Sequence, residues 1–231
     1  MFFSVEVLLK KMTLRTVGVS LTMSTIAMLI GSLVKGFQPY YILHDMTFTL
    51  TSFIFILILA PLTGLAGGFF RRFFQWAEKN QTKSKSILWQ LPAIALMTGL
   101  VAYFFPEIMG NGRSLAQFAI NSQQMHLVVV LVCGALLKVI ITVLTIRAGA
   151  AGGTLTPSIA VGSALGAVLV LLLNFFLPGV SVGQGAILGA GTLLAASQQA
   201  PFMAMFMLIE ITHLNYSALL PLALGIIISS A

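Results

Sequence analysis

Charge is scarce in this chain. Asp, Glu, Lys and Arg make up only 7% of its 231 residues, against roughly a quarter in soluble domains. That excludes an ordinary water-soluble globule, because too few polar residues remain to make its surface. Cysteine is scarcer still: Cys133 stands alone in an apolar run, which excludes a disulfide framework and a cysteine-based metal site. His44, His126 and His213 are far apart and show no metal-ligand spacing, and nothing in the sequence implies a cofactor. Acids number five against twelve bases, for a net charge of +7. The bases lie mainly at the ends of apolar runs, so they mark membrane topology and do not point to nucleic acid. What remains is apolar. A hydrophobic content of 58% and a mean hydropathy of +1.04 exclude a disordered chain and leave an integral membrane protein.

About 20 mostly apolar residues are needed to cross about 30 Å of hydrocarbon as a helix. Runs of that size lie at 14–34, 46–70, 87–105, 125–146 and 155–177. Backbone groups in lipid must be satisfied within their own segment, so these runs predict helices, and no alternation suggests a barrel. Lys10, Lys11 and Arg15 precede the first run, and Lys35 follows it. Arg71, Arg72, Lys79, Lys83 and Lys85 follow the second, and Arg113 follows the third. This alternation of rich and poor flanks places the loop 71–86 in the cytoplasm of a cell or inner membrane.

After Arg147 the pattern changes. Neither Lys nor Arg occurs from Ala148 to Ala231, and Glu210 is the only acid there. Pro157, Pro178, Gly179, Gly183, Pro201 and Pro221 divide this region. The pieces 182–196 and 201–214 are too short to span, and they read as half-membrane helices of the kind that build ion sites in transporters. Full spans kinked by Pro and Gly are the other reading. Met1 to Leu9 is apolar ahead of the first charges, the reverse of a signal peptide, and Leu222 to Ala231 ends within an apolar run. The expectation is a piece of a larger membrane protein.

The stretch Arg147-Ala-Gly-Ala-Ala-Gly-Gly-Thr-Leu-Thr-Pro157 precedes an apolar run. Its small residues let the backbone turn and lie open. Thr156 is expected to cap the following helix, and Pro157 suits a first turn because its missing N–H would have no partner there. The N–H groups of Gly153, Thr154 and Leu155 would then be free at an electropositive helix end, which attracts an anion. No carboxylate lies between Glu107 and Glu210 to hold a cation. The residues alone leave a second reading open, a bend for close packing with Gly162-x-x-x-Gly166 as its contact face.

Gly152-Gly-Thr-Leu-Thr-Pro157 resembles the Gly-x-Phe-x-Pro motif of the CLC family of chloride channels and chloride/proton antiporters. Phe105-Pro-Glu-Ile-Met-Gly-Asn-Gly112 resembles the family's loop before a short helix. Gly189 to Pro201 resembles its conserved turn, and Ile209-Glu-Ile-Thr212 with Asn215-Tyr216 resembles the end of the next helix. The resemblance implies two inverted-topology halves per subunit, assembled as a homodimer with one pathway in each subunit. It also implies chloride held by the backbone amides of Thr154 and Leu155. Leu155 stands where the family usually has Phe, so the pore wall is less bulky here. On this reading 1–231 is one transmembrane domain: 1–34 ends the first repeat and 46–231 makes most of the second. The family's Gly-Lys-Glu-Gly-Pro and Gly-Ser-Gly-Ile-Pro segments have no counterpart in this sequence. Its Phe-x-x-Glu-Glu pattern is matched by Phe3-Ser-Val-Glu6 but ends in Val7, where the proton-transfer carboxylate would stand. That implies an uncoupled channel or another proton route.

Lys138, Glu6 and Glu210 are the further candidates for the pathway. Lys138 is costly mid-span. It is read either as attracting anions or, with slight preference, as a helix-end Lys that snorkels. Glu210 is read as either a proton relay or, preferentially, a hydrogen-bond partner of Thr212 or a backbone end. Met203, Met205 and Met207 suggest packing or a dimer face. Gly179-Val-Ser181-Val-Gly183, with Glu210 and His213, fits a hydrolase elbow by pattern, but that elbow needs a strand–turn–helix that nothing here suggests.

The expectation is therefore an all-α polytopic membrane protein of CLC type that moves chloride. Its partners would be the bilayer, a second copy joined through apolar faces on 14–34, 201–214 and 216–230, and the missing N-terminal repeat in cis or in trans. The alternatives are a non-transporting fragment that needs that repeat, and an intramembrane hydrolase.

Overall fold

The computed structural model describes residues 2–9, 13–43, 49–174, 176 and 179–230. Lys10, Lys11, the start of the 46–70 run and Pro178 lie outside the described residues. Among those described, every regular element is helical. A π-type helix, Phe3–Leu9, leads into α1 (Leu14–Lys35), α2 (Leu50–Lys79) and α3 (Ile87–Phe104). A 3-10 turn, Pro106–Ile108, precedes the short α4 (Arg113–Asn121). Then come α5 (Leu127–Arg147), α6 (Leu155–Leu173), α7 (Val182–Gln198), α8 (Pro201–Thr212) and α9 (Leu219–Ser230). Leu14–Leu33 within α1, together with α2, α3, α5 and α6, are long and apolar enough to cross a membrane, whereas α8 and α9 are not. Pro61 and Pro92 sit inside α2 and α3, as membrane helices tolerate.

The second span does not stop at residue 70. α2 continues to Lys79, so the connection to α3 is 80–86 and not 71–86. Phe70, Phe74 and Ala77 recur at helical spacing and are all buried, so the apolar stripe carries the helix past Arg71 and Arg72.

At the centre α6 lies against α7 with almost no side chain between them. A Cβ on Gly162 or Gly166 would collide with the carbonyl oxygens of Gly189 and Gly185, and the converse holds for Gly189 against Gly162. Without a hydrophobic drive between helices in lipid, such close backbone approach supplies the attraction. α2 and α9 complete the core around α7. A Cβ on Gly67 would meet the backbone of Ser197 at 3.2 Å, the Thr63 and Thr192 hydroxyls lie 2.7 Å apart, and Ser229 Oγ donates to the Thr192 carbonyl at 3.0 Å.

Short loops are fixed by caps. Ser181 Oγ accepts from the Gln184 amide, while Gln184 Oε1 accepts from the Ser181 amide at 2.8 Å, a reciprocal cap on α7. The serine of the hydrolase-like pattern is thus a helix cap. Met203 is fully buried, and Met205 and Met207 pack against the core. α1 stands apart, with none of its apolar window buried.

Candidate functional site

The backbone leaves helical form at Ala148 and regains it at Leu155. Gly149 begins the break in the left-handed region, at φ 107°. The connection 80–86 braces it: the Thr82 amide donates to the Arg147 carbonyl at 2.9 Å, and Gln81 Nε2 donates to the Ala150 carbonyl at 3.3 Å. Gly152 and Gly153 are exposed, and a Cβ on either would meet nothing within 4 Å.

α6 is capped by Thr154, two residues earlier than the expected Thr156. The Thr154 carbonyl accepts the first helical hydrogen bond, from the Ser158 amide at 3.0 Å. Pro157 therefore lies in the first turn and lacks only a donor that would have had no use there. The Thr154 hydroxyl does not cap its own helix; it accepts from Gln198 Nε2 of α7 at 2.9 Å. Among the described residues, the amides of Gly153, Thr154, Leu155 and Thr156 donate to no protein acceptor. They form an unpartnered row at the positive end of a 19-residue helix.

Two cavities meet at this row. One of ≈ 950 Å³ is bounded by α3 (Pro92, Thr98), the turn at Ile108 and Gly110, α5 (Lys138, Thr142) and the tip residues Gly152, Gly153, Leu155, Thr156 and Pro157. The other, ≈ 520 Å³, is bounded by Glu6, Arg71, Gln75, Glu78, Thr154, Ser197 and Gln198 among others. The segment 152–156 is a shared wall: Thr154 borders the second cavity and its neighbours border the first.

Lys138 does not snorkel. It is 3% exposed, and its Nζ donates to the carbonyls of Ile108 at 2.9 Å and Gly110 at 2.6 Å while lining the larger cavity. An ammonium has three donors, and both acceptors are neutral, so the positive charge is solvated by backbone dipoles and not cancelled. Gly112, at φ 105°, lets the same turn press against α6, where a Cβ would meet Ala160 and Lys138. Lysine, turn and helix tip form one packed unit.

Glu6 sits at the smaller cavity and caps a helix. Its Oε2 accepts from the Met203 amide at 2.6 Å and its Oε1 from the Phe202 amide at 3.4 Å, at the start of α8. Val7 borders the same cavity. Glu210 is not brought to the site. It is exposed on α8, and the Thr212 hydroxyl donates to the Leu208 carbonyl and not to Glu210. Exposure of one and back-bonding of the other remove the expected pair.

Sequence reading missed Gln198, Gln75 and Arg71 at this site. The signal available for Gln198 was a pair of glutamines in an otherwise apolar, uncharged region, next to the break before Pro201.

The family model described as voltage gated chloride channel matches residues 1–231. The chain belongs to the voltage-gated chloride channel (CLC) family. The ClC-type chloride channel ClcB of Salmonella typhimurium is 27% identical over 238 residues, which cover 99% of this chain and 55% of that protein. ClcB of Escherichia coli O81 is 27% identical over 236 residues, with the same coverage. The chain thus spans about half the length of these CLC relatives. A solved CLC-type fluoride/proton antiporter matches with a TM-score of 0.66 at 23% identity, over 86% of this chain and 49% of that one. A slow cyanobacterial Cl-/H+ antiporter matches with a TM-score of 0.67 at 25% identity, over 83% and 45%. The helical architecture is therefore that of a CLC membrane domain in part, with short half-membrane helices, and the chain is a multi-pass integral membrane protein.

Proposed function

We propose that this chain forms the second-repeat half of a chloride transport subunit, with the anion held by the backbone amides of Gly153, Thr154 and Leu155. The observation that carries this reading is the row of unpartnered amides between two cavities, in a chain of the CLC family. Each N–H offers a partial charge. Together they stabilise a halide in low dielectric without holding it as tightly as a fixed guanidinium would, which permits both entry and release. Lys138 raises the local anion concentration in the larger cavity, and Pro157 fixes the tip. Glu6 acts on the pathway through α8, and Glu210 takes no part in it.

A first repeat, in cis or in trans, supplies the facing wall of the site, and a second copy covers the exposed apolar sides of α1, α8 and α9. The basic connection 80–86 faces the cytoplasm. Among the described residues, the smaller cavity has no carboxylate besides Glu6 and Glu78, and Val7 adds none. Glu6 is engaged with two amides, so uncoupled chloride movement is favoured over exchange for protons.

The chain is reconstituted in liposomes alone and together with a first repeat from a ClcB relative, and chloride efflux is followed with and without a pH gradient. Efflux that needs both halves and ignores the pH gradient is expected. Silence in both preparations, with the protein folded, overturns the reading. Efflux from this chain alone shows that the facing wall is built by a second copy.

A further inference from the structure

A second cavity type lies on the outer side of the bundle, away from the amide row. Between α2 and α5 runs a groove of ≈ 560 Å³ whose walls are apolar throughout, with Phe69, Phe73 and Trp76 on one side and Leu136, Val139 and Ile140 on the other. The aromatics are about half exposed: 57% for Phe69, 53% for Phe73 and 46% for Trp76. At one end the groove meets charge. The Arg147 guanidinium carbon lies over the Trp76 ring, 5.1 Å from its centroid; the side chain is exposed and donates to no group among the described residues. Arg72, Lys79, Lys83 and Lys85 are exposed at the same end of α2 and in the connection after it. Arg71 and Glu78, the acid of this stretch, line the polar cavity instead.

We propose that this groove binds one anionic phospholipid, with an acyl chain along Phe69, Phe73 and Val139 and its phosphate on Arg147. Trp at the end of an apolar span sits at headgroup depth. A guanidinium held over an aromatic ring with no hydrogen-bond acceptor of its own has N–H groups free for bidentate contact with phosphate. A basic rim between spans matches a headgroup of net negative charge, whereas a zwitterionic lipid offers the same phosphate with a cationic group that the rim repels. A protein segment would need an acidic residue at the rim and continuous apolar cover along the groove. The lipid supplies both in one molecule.

Native mass spectrometry of the detergent-purified chain, titrated with palmitoyl-oleoyl phosphatidylglycerol or phosphatidylcholine, tests this. One retained phosphatidylglycerol is expected, at least fivefold preferred over phosphatidylcholine. Arg147→Gln abolishes the preference, Arg147→Lys restores part of it, and Val139→Phe, which fills the groove, lowers retention of both lipids. Arg15→Gln, on α1 and outside both groove and rim, changes nothing. Equal losses in Arg147→Gln and Arg15→Gln mean diffuse surface charge and overturn the site. So does unchanged retention in Val139→Phe, and so does a lipid-free dimer that buries Trp76. Circular dichroism of each variant separates these outcomes from misfolding.

Discussion

Gln198 Nε2 lies 2.9 Å from the Thr154 hydroxyl and donates to it, tying the last turn of α7 to the cap of α6. The two residues are 44 positions apart in sequence. The bond occupies a lone pair on the Thr154 oxygen, so the hydroxyl proton must point elsewhere. It also holds the amide of Thr154 at the boundary between the two cavities.

Replacing Gln198 with Leu should therefore loosen the tip more than the fold. The expected loss of stability is about 1 kcal/mol, the net worth of one such hydrogen bond. Thermal unfolding in detergent would read that loss. Isothermal titration with chloride should show a weaker affinity, and Thr154→Val, which removes the same bond from the other side, should show a similar loss. Additive effects in the double variant would mean that the two side chains act independently.

Lys138 is a buried charge on the wall of the larger cavity. Lys138→Met leaves the buried carbonyl of Ile108 and that of the exposed Gly110 without their donor, at about 1–3 kcal/mol for the buried group left unsatisfied. It also removes the positive charge from the larger cavity, so chloride affinity should fall on the order of tenfold. Lys138→Arg keeps the charge and should retain most of the affinity, with a smaller loss of stability.

Glu6 should behave as a cap and not as a proton carrier. Glu6→Ala removes the acceptor for the Phe202 and Met203 amides and should lower the unfolding temperature by the equivalent of about 1–2 kcal/mol. Glu6→Gln keeps one acceptor and should lose less. Chloride efflux from liposomes should have the same pH dependence in Glu6→Gln as in the parent; a changed profile would assign Glu6 a proton-carrying role.

Gly166 faces the Gly185 carbonyl too closely for any Cβ. Gly166→Ala should cost more than the ~1–3 kcal/mol typical of overpacking, because backbone and not side chain must move. Gly152→Ala, in open space, should be tolerated. Expression and size-exclusion profiles of the two variants make the comparison.

The spans at α1, α3, α5 and α6 were legible because long apolar runs leave a chain few alternatives. The break at Gly152 was legible for the same reason in reverse: small residues interrupt such a run. The end of α2 was hidden, since Arg71 and Arg72 read as a membrane boundary while the buried stripe through Phe70, Phe74 and Ala77 continued. The inward turn of Lys138 leaves no mark in the sequence, because its acceptors are backbone carbonyls 28 and 30 residues away. Glu6 and Met203 are 197 residues apart, so their contact exists only in the folded chain. Thr154 was passed over as the cap because the motif offers two threonines and only the path of the backbone chooses between them.

The most direct measurement is the anomalous scattering of bromide soaked into crystals of the chain in complex with a first repeat. A bromide peak within hydrogen-bonding reach of the Thr154 and Leu155 amides is the expected result. A clear map with bromide elsewhere and none at the α6 tip, or with α6 extended unbroken into α5, would contradict the assignment of this helix end as the halide site.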